Sequence, residues 1–173
     1  MAHDALVKIA GQDLGPMAEE WLRWAERHGA AGRGGGVAAE AELDDDRLIE
    51  LALEGSAVGL RREAEGRYAV DFTFEGGRRQ GVAVRFGSTD HEGAAVVIVY
   101  ANCGEASPEH YEKALRLNLR MPYGAIALRD TGGVPCFVMF NTILRQGLSP
   151  IELHKSIFTV AERAARADQQ LRK

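Results

Sequence analysis

The sequence predicts a domain of the α+β class, in which an antiparallel sheet of about five strands carries helices packed on it. Three observations lead to this class. Residues 57–101 alternate apolar and more polar side chains, residues 44–54 and 153–171 repeat apolar side chains at helical spacing, and glycine pairs separate strands. The predicted element order is α-βββ-α-ββ-α, preceded by an extra N-terminal helix.

The N-terminal region, residues 1–43, is predicted to hold that extra helix and a glycine-rich connector. The helix spans residues 16–29, and its apolar stripe includes Trp21 and Trp24. Two tryptophans on a short amphipathic helix need a partner surface, either the sheet of the same chain or another protein, so both are candidate docking residues. The glycines at 32–36 follow a helix and precede no lysine, which excludes a phosphate-binding loop.

The second predicted domain, residues 44–173, begins with a helix over residues 44–54. Asp44, Asp45 and Asp46 stand at its start, where the helix dipole favours carboxylates. Three consecutive side chains at a helix start point in different directions, so we expect these aspartates to cap the helix and not to bind a metal ion.

The strand region follows. Residues 67–74 and 82–86 alternate in hydrophobicity, and Gly76 with Gly77 predicts a tight turn between them. Residues 94–101 are apolar on both faces, which is typical of a central strand. Residues 57–63 are a candidate additional strand ahead of these three.

The C-terminal half predicts a helix from Ser107 to about Arg120, ended by Pro122. Two strands then span residues 123–129 and 134–141, with a hairpin turn between them. Ser149 and Glu152 form a capping box that starts a helix able to run to the C-terminus.

Composition excludes some classes of function. Twenty-one Lys and Arg against twenty-five Asp and Glu give a formal net charge of −4, so the broad positive field of a non-specific nucleic-acid binder is absent. No apolar run is long enough for a membrane span, and the N-terminus lacks the pattern of a signal peptide. We therefore expect a cytoplasmic protein that binds neither nucleic acid nor membrane.

The residues that carry chemistry predict no catalytic, cofactor-binding or metal-binding site. The five histidines are scattered and none pairs with another at metal-ligand spacing. Cys103 and Cys136 are interpreted as small buried side chains, although a disulfide is conceivable if their strands are neighbours. Cys103 and His110 form the nearest arrangement to a cysteine–histidine pair, but no residue is evident that would orient the base.

The run YEKALRLNLRMPYGAIAL at residues 111–128 and the following GVPCF at residues 133–137 carry a family resemblance. Together with the element order over residues 44–172, they resemble the bacterial YbjN-like sensory-transduction regulators and the related type III secretion chaperone-like fold. The resemblance implies a small α+β domain that acts by binding protein. Secretion chaperones of this type are dimers that hold an unfolded segment of a client.

The leading functional hypothesis is a non-enzymatic, homodimeric protein-binding module, with Tyr111, Leu115 and Leu119 of the third helix in the subunit interface. The apolar two-faced strands indicate that both sheet faces are covered, by the N-terminal helix, a second subunit or a client. Two alternatives remain open at this point. One is a small-ligand sensor with a pocket between sheet and helices, and the other is a structural subunit that docks through its N-terminal helix.

Overall fold

The computed structural model describes residues 43–171, which form three α-helices and one six-stranded sheet. The predicted α+β class is confirmed. In chain order the elements are α1 (Asp45–Leu53), β1 (Gly59–Ala64), β2 (Arg67–Thr73), β3 (Arg79–Thr89), β4 (Ala95–Glu105), α2 (Tyr111–Asn118), β5 (Ala125–Thr131), β6 (Val134–Leu144) and α3 (Pro150–Leu171). The helix predicted over residues 16–29, with Trp21 and Trp24, lies outside the described residues.

The sheet has the strand order β1-β2-β3-β4-β6-β5, and every neighbouring pair is antiparallel. The candidate additional strand is present as β1, which makes one edge of the sheet, and β5 makes the other. Gly132 and Gly133 connect β5 to β6 with φ angles of 63° and 85°. A two-residue turn with both φ angles positive matches the right-handed twist of the strands that it joins.

Of the three aspartates predicted to cap α1, Asp44 makes the capping bond, and Asp45 and Asp46 instead tie the helix to other elements. Asp44 accepts a hydrogen bond from the backbone N–H of Arg47 at 2.7 Å, as an N-cap residue does. The next carboxylate, Asp45, pairs with the Arg145 side chain that follows β6, at 2.8 Å. The start of α1 is therefore tied to the end of β6.

Asp46 makes a second tie, toward the β1 edge of the sheet. The Tyr68 hydroxyl on β2 donates to Asp46 at 2.6 Å, and the Arg62 guanidinium on β1 lies 3.0 Å from the same carboxylate. Burial of Tyr68, reinforced by the hydrogen bond to Asp46, raises the pKa of the hydroxyl above its usual range. The hydroxyl therefore stays protonated and serves as a donor.

The core lies between one face of the sheet and the helices. Alternate residues of β2, β3, β4 and β6 point into it, and α3 packs across β3, β4 and β6 while contacting α1. The capping box predicted at the start of α3 is confirmed, because Ser149 Oγ accepts from the Glu152 N–H at 3.2 Å and the Ser149 N–H donates to the Glu152 carboxylate at 3.1 Å. The Ser149 N–H and the Ser149 hydroxyl, which also donates to the Glu152 carboxylate at 2.9 Å, hold the pKa of Glu152 below its usual range.

The helix predicted from Ser107 to about Arg120 is shorter in the structure. A single 3₁₀ turn at Pro108–His110 comes first, and α2 ends at Asn118. Pro122 disfavours helical backbone at Met121, and the Asn118 side chain is engaged with β5. Leu119 consequently lies beyond the helix end, on the turn that leads to β5.

The second face of the sheet carries Ile98 and Tyr100 of β4 beside Val138 and Phe140 of β6. The Arg129 guanidinium lies 4.7 Å from the centre of the Tyr100 ring. Within residues 43–171, all three helices pack on the other face. The cover predicted for this second face stays a prediction.

Candidate functional site

The β5 edge of the sheet carries an exposed apolar surface. Leu115 on α2, Leu119 after it and Leu128 on β5 are 66%, 88% and 49% exposed. Beside them is a cleft of about 200 Å³, lined by apolar residues that include Leu115, Leu128, Tyr111 and Phe137. We name the three exposed leucines and this cleft the β5 edge surface.

The three residues predicted for a subunit interface divide into two roles. Tyr111 is half-buried and packs edge-on against Phe137, with ring centres 5.9 Å apart and planes at 87°. It therefore supports the floor of the cleft. Leu115 and Leu119 project into solvent and are available to a second chain.

The Asn118 side chain binds the backbone of β5 near the start of the strand. Its amide nitrogen donates to the Ile126 carbonyl at 3.1 Å, and its amide oxygen accepts from the Ile126 N–H at 2.7 Å. The backbone groups of Ile126 thus point away from β6, toward the outer side of the sheet. Along a strand of an antiparallel pair, the backbone N–H and C=O groups point alternately toward the partner strand and away from it. The groups of Leu128 and Asp130, two and four residues after Ile126, therefore point outward as well.

The part of β5 whose outward backbone groups are unpaired within the described residues is therefore short, and it begins after Ile126. Within the described chain β5 pairs only with β6, which leaves the outward groups at Leu128 and Asp130 for another strand. Asn118 stops such pairing at Ile126. Sequence reasoning placed Asn118 on a helix face and missed this role; its one local signal was an asparagine shortly before a helix-ending proline.

The cysteines form neither a disulfide nor a nucleophilic site. Both are buried and free, and although β4 and β6 are neighbours, Cys103 belongs to the helix-side core while Cys136 has its side chain on the second face. Burial raises the pKa of the Cys103 thiol to about 12. A thiol that stays protonated at neutral pH is a poor nucleophile.

His154 has a structural position. Its Nδ1 lies 2.6 Å from the Ala52 carbonyl oxygen of α1, and its ring stacks on Phe158 with centres 4.1 Å apart. The contact with Ala52 joins α3 to α1, and the stacking on Phe158 orients the His154 ring within α3. Among residues 43–171, no cluster of three or more His, Cys, Asp or Glu side chains has a geometry that could hold a metal ion. No helix in the same range is long and apolar enough to cross a membrane.

Comparison with known proteins adds no relative: no protein-family model matches this chain, and no curated protein matches it either. We therefore infer the function from the geometry of the described residues. The family resemblance stays an expectation from the sequence.

Proposed function

We propose that this chain is a non-enzymatic protein-binding module of the cytoplasm, which forms a homodimer through the β5 edge surface and holds a segment of a partner protein. The observation that carries the proposal is that the exposed Leu115 and Leu128 line one apolar cleft, with the exposed Leu119 four residues after Leu115. A cluster of exposed apolar side chains around a concave patch is typical of a protein interface.

Backbone geometry supports the same proposal. The outward N–H and C=O groups at Leu128 and Asp130 can pair with an added strand, and strand addition supplies affinity through main-chain hydrogen bonds. The adjoining cleft supplies a pocket for an apolar side chain. The resemblance of residues 111–137 to dimeric secretion chaperones agrees with this arrangement.

Light scattering on the purified chain tests the homodimer. We expect twice the mass of one chain for the wild type, and the mass of one chain after replacing both Leu115 and Leu119 by aspartate. Buried charge without a partner would prevent the interface from forming, while exposed positions leave folding intact. Ile151→Asp is the matched control, because Ile151 is also exposed, at 79%, but lies at the start of α3.

The control variant should keep the dimer mass. A double variant that keeps the dimer mass with an unchanged circular dichroism spectrum would contradict the interface, and a monomeric wild type at micromolar concentration would contradict the homodimer.

A further inference from the structure

A groove runs along one side of α3 and joins two clefts. The larger, about 460 Å³, lies between the C-terminal end of α2 and α3, and the smaller, about 260 Å³, lies between α3 and β6. Thr159 of α3 lines both clefts. We name this continuous feature the α3 groove. Its larger cleft is within the size range of ligand sites in proteins.

The groove is lined by more basic than acidic side chains. Arg120, Arg163 and Arg166 line the larger cleft, and Lys155 lines the smaller one. The two carboxylates in the groove already have partners. Glu162 lies 3.7 Å from Arg166, and the Glu152 carboxylate accepts hydrogen bonds from Ser149 in the capping box.

Arg120 and Arg163 lack side-chain partners inside the described chain. Neither guanidinium makes an ion pair, a hydrogen bond or a stacking contact with a residue of the range 43–171. Arg163 is half-buried, where an unpaired charge is unfavourable unless water or a ligand contacts it. The positive charge is local, because the chain as a whole carries −4.

The floor of the larger cleft is apolar. Leu117 of α2 and Met121 of the turn that follows it meet Ile126 of β5 there, so the groove presents an apolar strip beside guanidinium groups. A compact inorganic anion would use the guanidinium groups alone. An extended peptide that carries both carboxylates and apolar side chains would use the whole length of the groove.

We propose that the α3 groove binds an acidic peptide segment of a partner protein, whose carboxylates pair with Arg120 and Arg163 and whose apolar side chains lie on Met121. This inference rests on the proposed protein-binding function and names the chemistry of the partner segment. Guanidinium groups suit this ligand because they bind carboxylates through two parallel hydrogen bonds.

Fluorescence anisotropy tests the proposal with a labelled synthetic peptide in which glutamates alternate with leucine and serine. We expect saturable binding that weakens with added salt. A matched peptide with glutamine in place of every glutamate should bind at least about tenfold more weakly, since hydrogen bonds from guanidinium to carboxylate are stronger than those to a neutral amide.

Variants locate the binding. Arg163→Glu and Arg120→Glu should each weaken the acidic peptide at least about tenfold, and Arg163→Gln should weaken it less. Arg79→Glu is the charge-matched control, because Arg79 is exposed on β3 and lines neither cleft. It should leave the affinity unchanged within about twofold.

Three outcomes would overturn the proposal: equal loss in Arg79→Glu and Arg163→Glu, equal affinity for the glutamine peptide, or binding of inorganic phosphate as tight as that of the peptide. A dimer variant with serine at Leu115 and Leu119 separates the two proposals, because it removes the apolar contacts without placing a negative charge beside Arg120. It should bind the peptide like the wild type, so the loss of dimerisation and the loss of peptide binding are independent results.

Discussion

The two edges of the sheet differ in chemistry. All six residues of β1 are exposed, and its side chains include Arg61, Arg62 and Glu63, with an irregular register between Arg62 and Ala64. At the β5 edge, Leu115 and Leu128 line an apolar cleft, and the charged side chains are Arg129 and Asp130 near the hairpin turn. The bulge and the charged side chains along β1 discourage the addition of another strand, whereas the regular register of β5 and its apolar cleft permit it.

In our proposal, partners therefore bind on the β5 side of the sheet. The arginines of β1 are engaged with carboxylates of the same chain, Arg61 with Asp71 at 3.2 Å and Arg62 with Asp46 at 3.0 Å. At the β5 edge, Asn118 occupies the outward backbone groups of Ile126, and the outward groups after it have no partner within residues 43–171. Three substitutions test this difference between the edges, and the first should change the free energy of unfolding most.

The largest effect is expected at the turn that leads into β5. Gly124 has a φ angle of 70°, and a Cβ added there would collide with the Phe140 carbonyl oxygen and lie 2.8 Å from the Met139 methyl carbon. Gly124→Ala should lower the free energy of unfolding by about 3 kcal/mol, from the left-handed backbone together with the collision. Urea denaturation measures it.

Gly147 provides the control, because it has the same φ angle of 70° with no heavy atom near the added Cβ. Gly147→Ala should cost only the backbone term, about 1 kcal/mol. Equal losses in the two variants would mean that the turn before β5 relaxes freely and does not hold the edge against β6.

The second effect concerns the Asn118 amide. Asn118→Ala leaves the N–H and C=O of Ile126 without their side-chain partner, so we expect a loss of about 2 kcal/mol in the free energy of unfolding. The Ile126 amide should also exchange its hydrogen faster, as measured by NMR. Arg61→Ala, which removes an exposed ion pair at the opposite edge, should change stability by less than about 0.5 kcal/mol; similar losses for both would remove the distinction between the edges.

The third effect concerns the Tyr68 hydroxyl near the β1 edge, and it depends on pH. The pKa of Tyr68 is raised in the folded state, so the unfolded chain loses this proton first, near the ordinary value of about 10. Tyr68→Phe should cost about 1 kcal/mol below that pH, through the lost bond to Asp46.

Above pH 10 the wild type should lose stability as its unfolded state ionises, while the phenylalanine variant lacks this term. The difference between the two should therefore shrink as the pH rises toward the folded-state pKa. Denaturation between neutral and alkaline pH measures it, and a difference that stays constant would contradict the raised pKa of Tyr68 in the folded state.

Local features of the fold were predictable because their partners are close in the chain. The Ser149–Glu152 capping box and the Asp44 cap each join residues three positions apart, and the Gly132-Gly133 turn is recognisable from two residues. The end of α2 was not predictable in this way. Helical spacing extended the helix to about Arg120, but the Asn118 amide bonds to Ile126, which follows a proline-containing turn.

The binding features were predictable only in part. Leu115 and Leu119 stood out as apolar residues four apart on a predicted helix, but nothing local shows that β5 lies at an edge and leaves them exposed. Tyr111 fitted the same spacing, yet the structure packs it on Phe137 of β6. The α3 groove joins Arg120 to Arg163, which are distant in sequence, so the basic residues looked like ordinary surface charge.

The sequence alone was enough for the class of the domain, the order of its elements and their approximate positions, because hydrophobic period, caps and turn residues act over a few positions. Strand ends were less predictable: β3 spans Arg79–Thr89 where the alternation predicted 82–86, and β4 continues to Glu105 where the prediction ended at 101. Only the tertiary structure decided that β6 lies between β4 and β5, which edge is apolar, and which arginines line one groove. Those facts depend on the pairing of distant segments, which is set by packing the whole core at once and is not written in any local pattern.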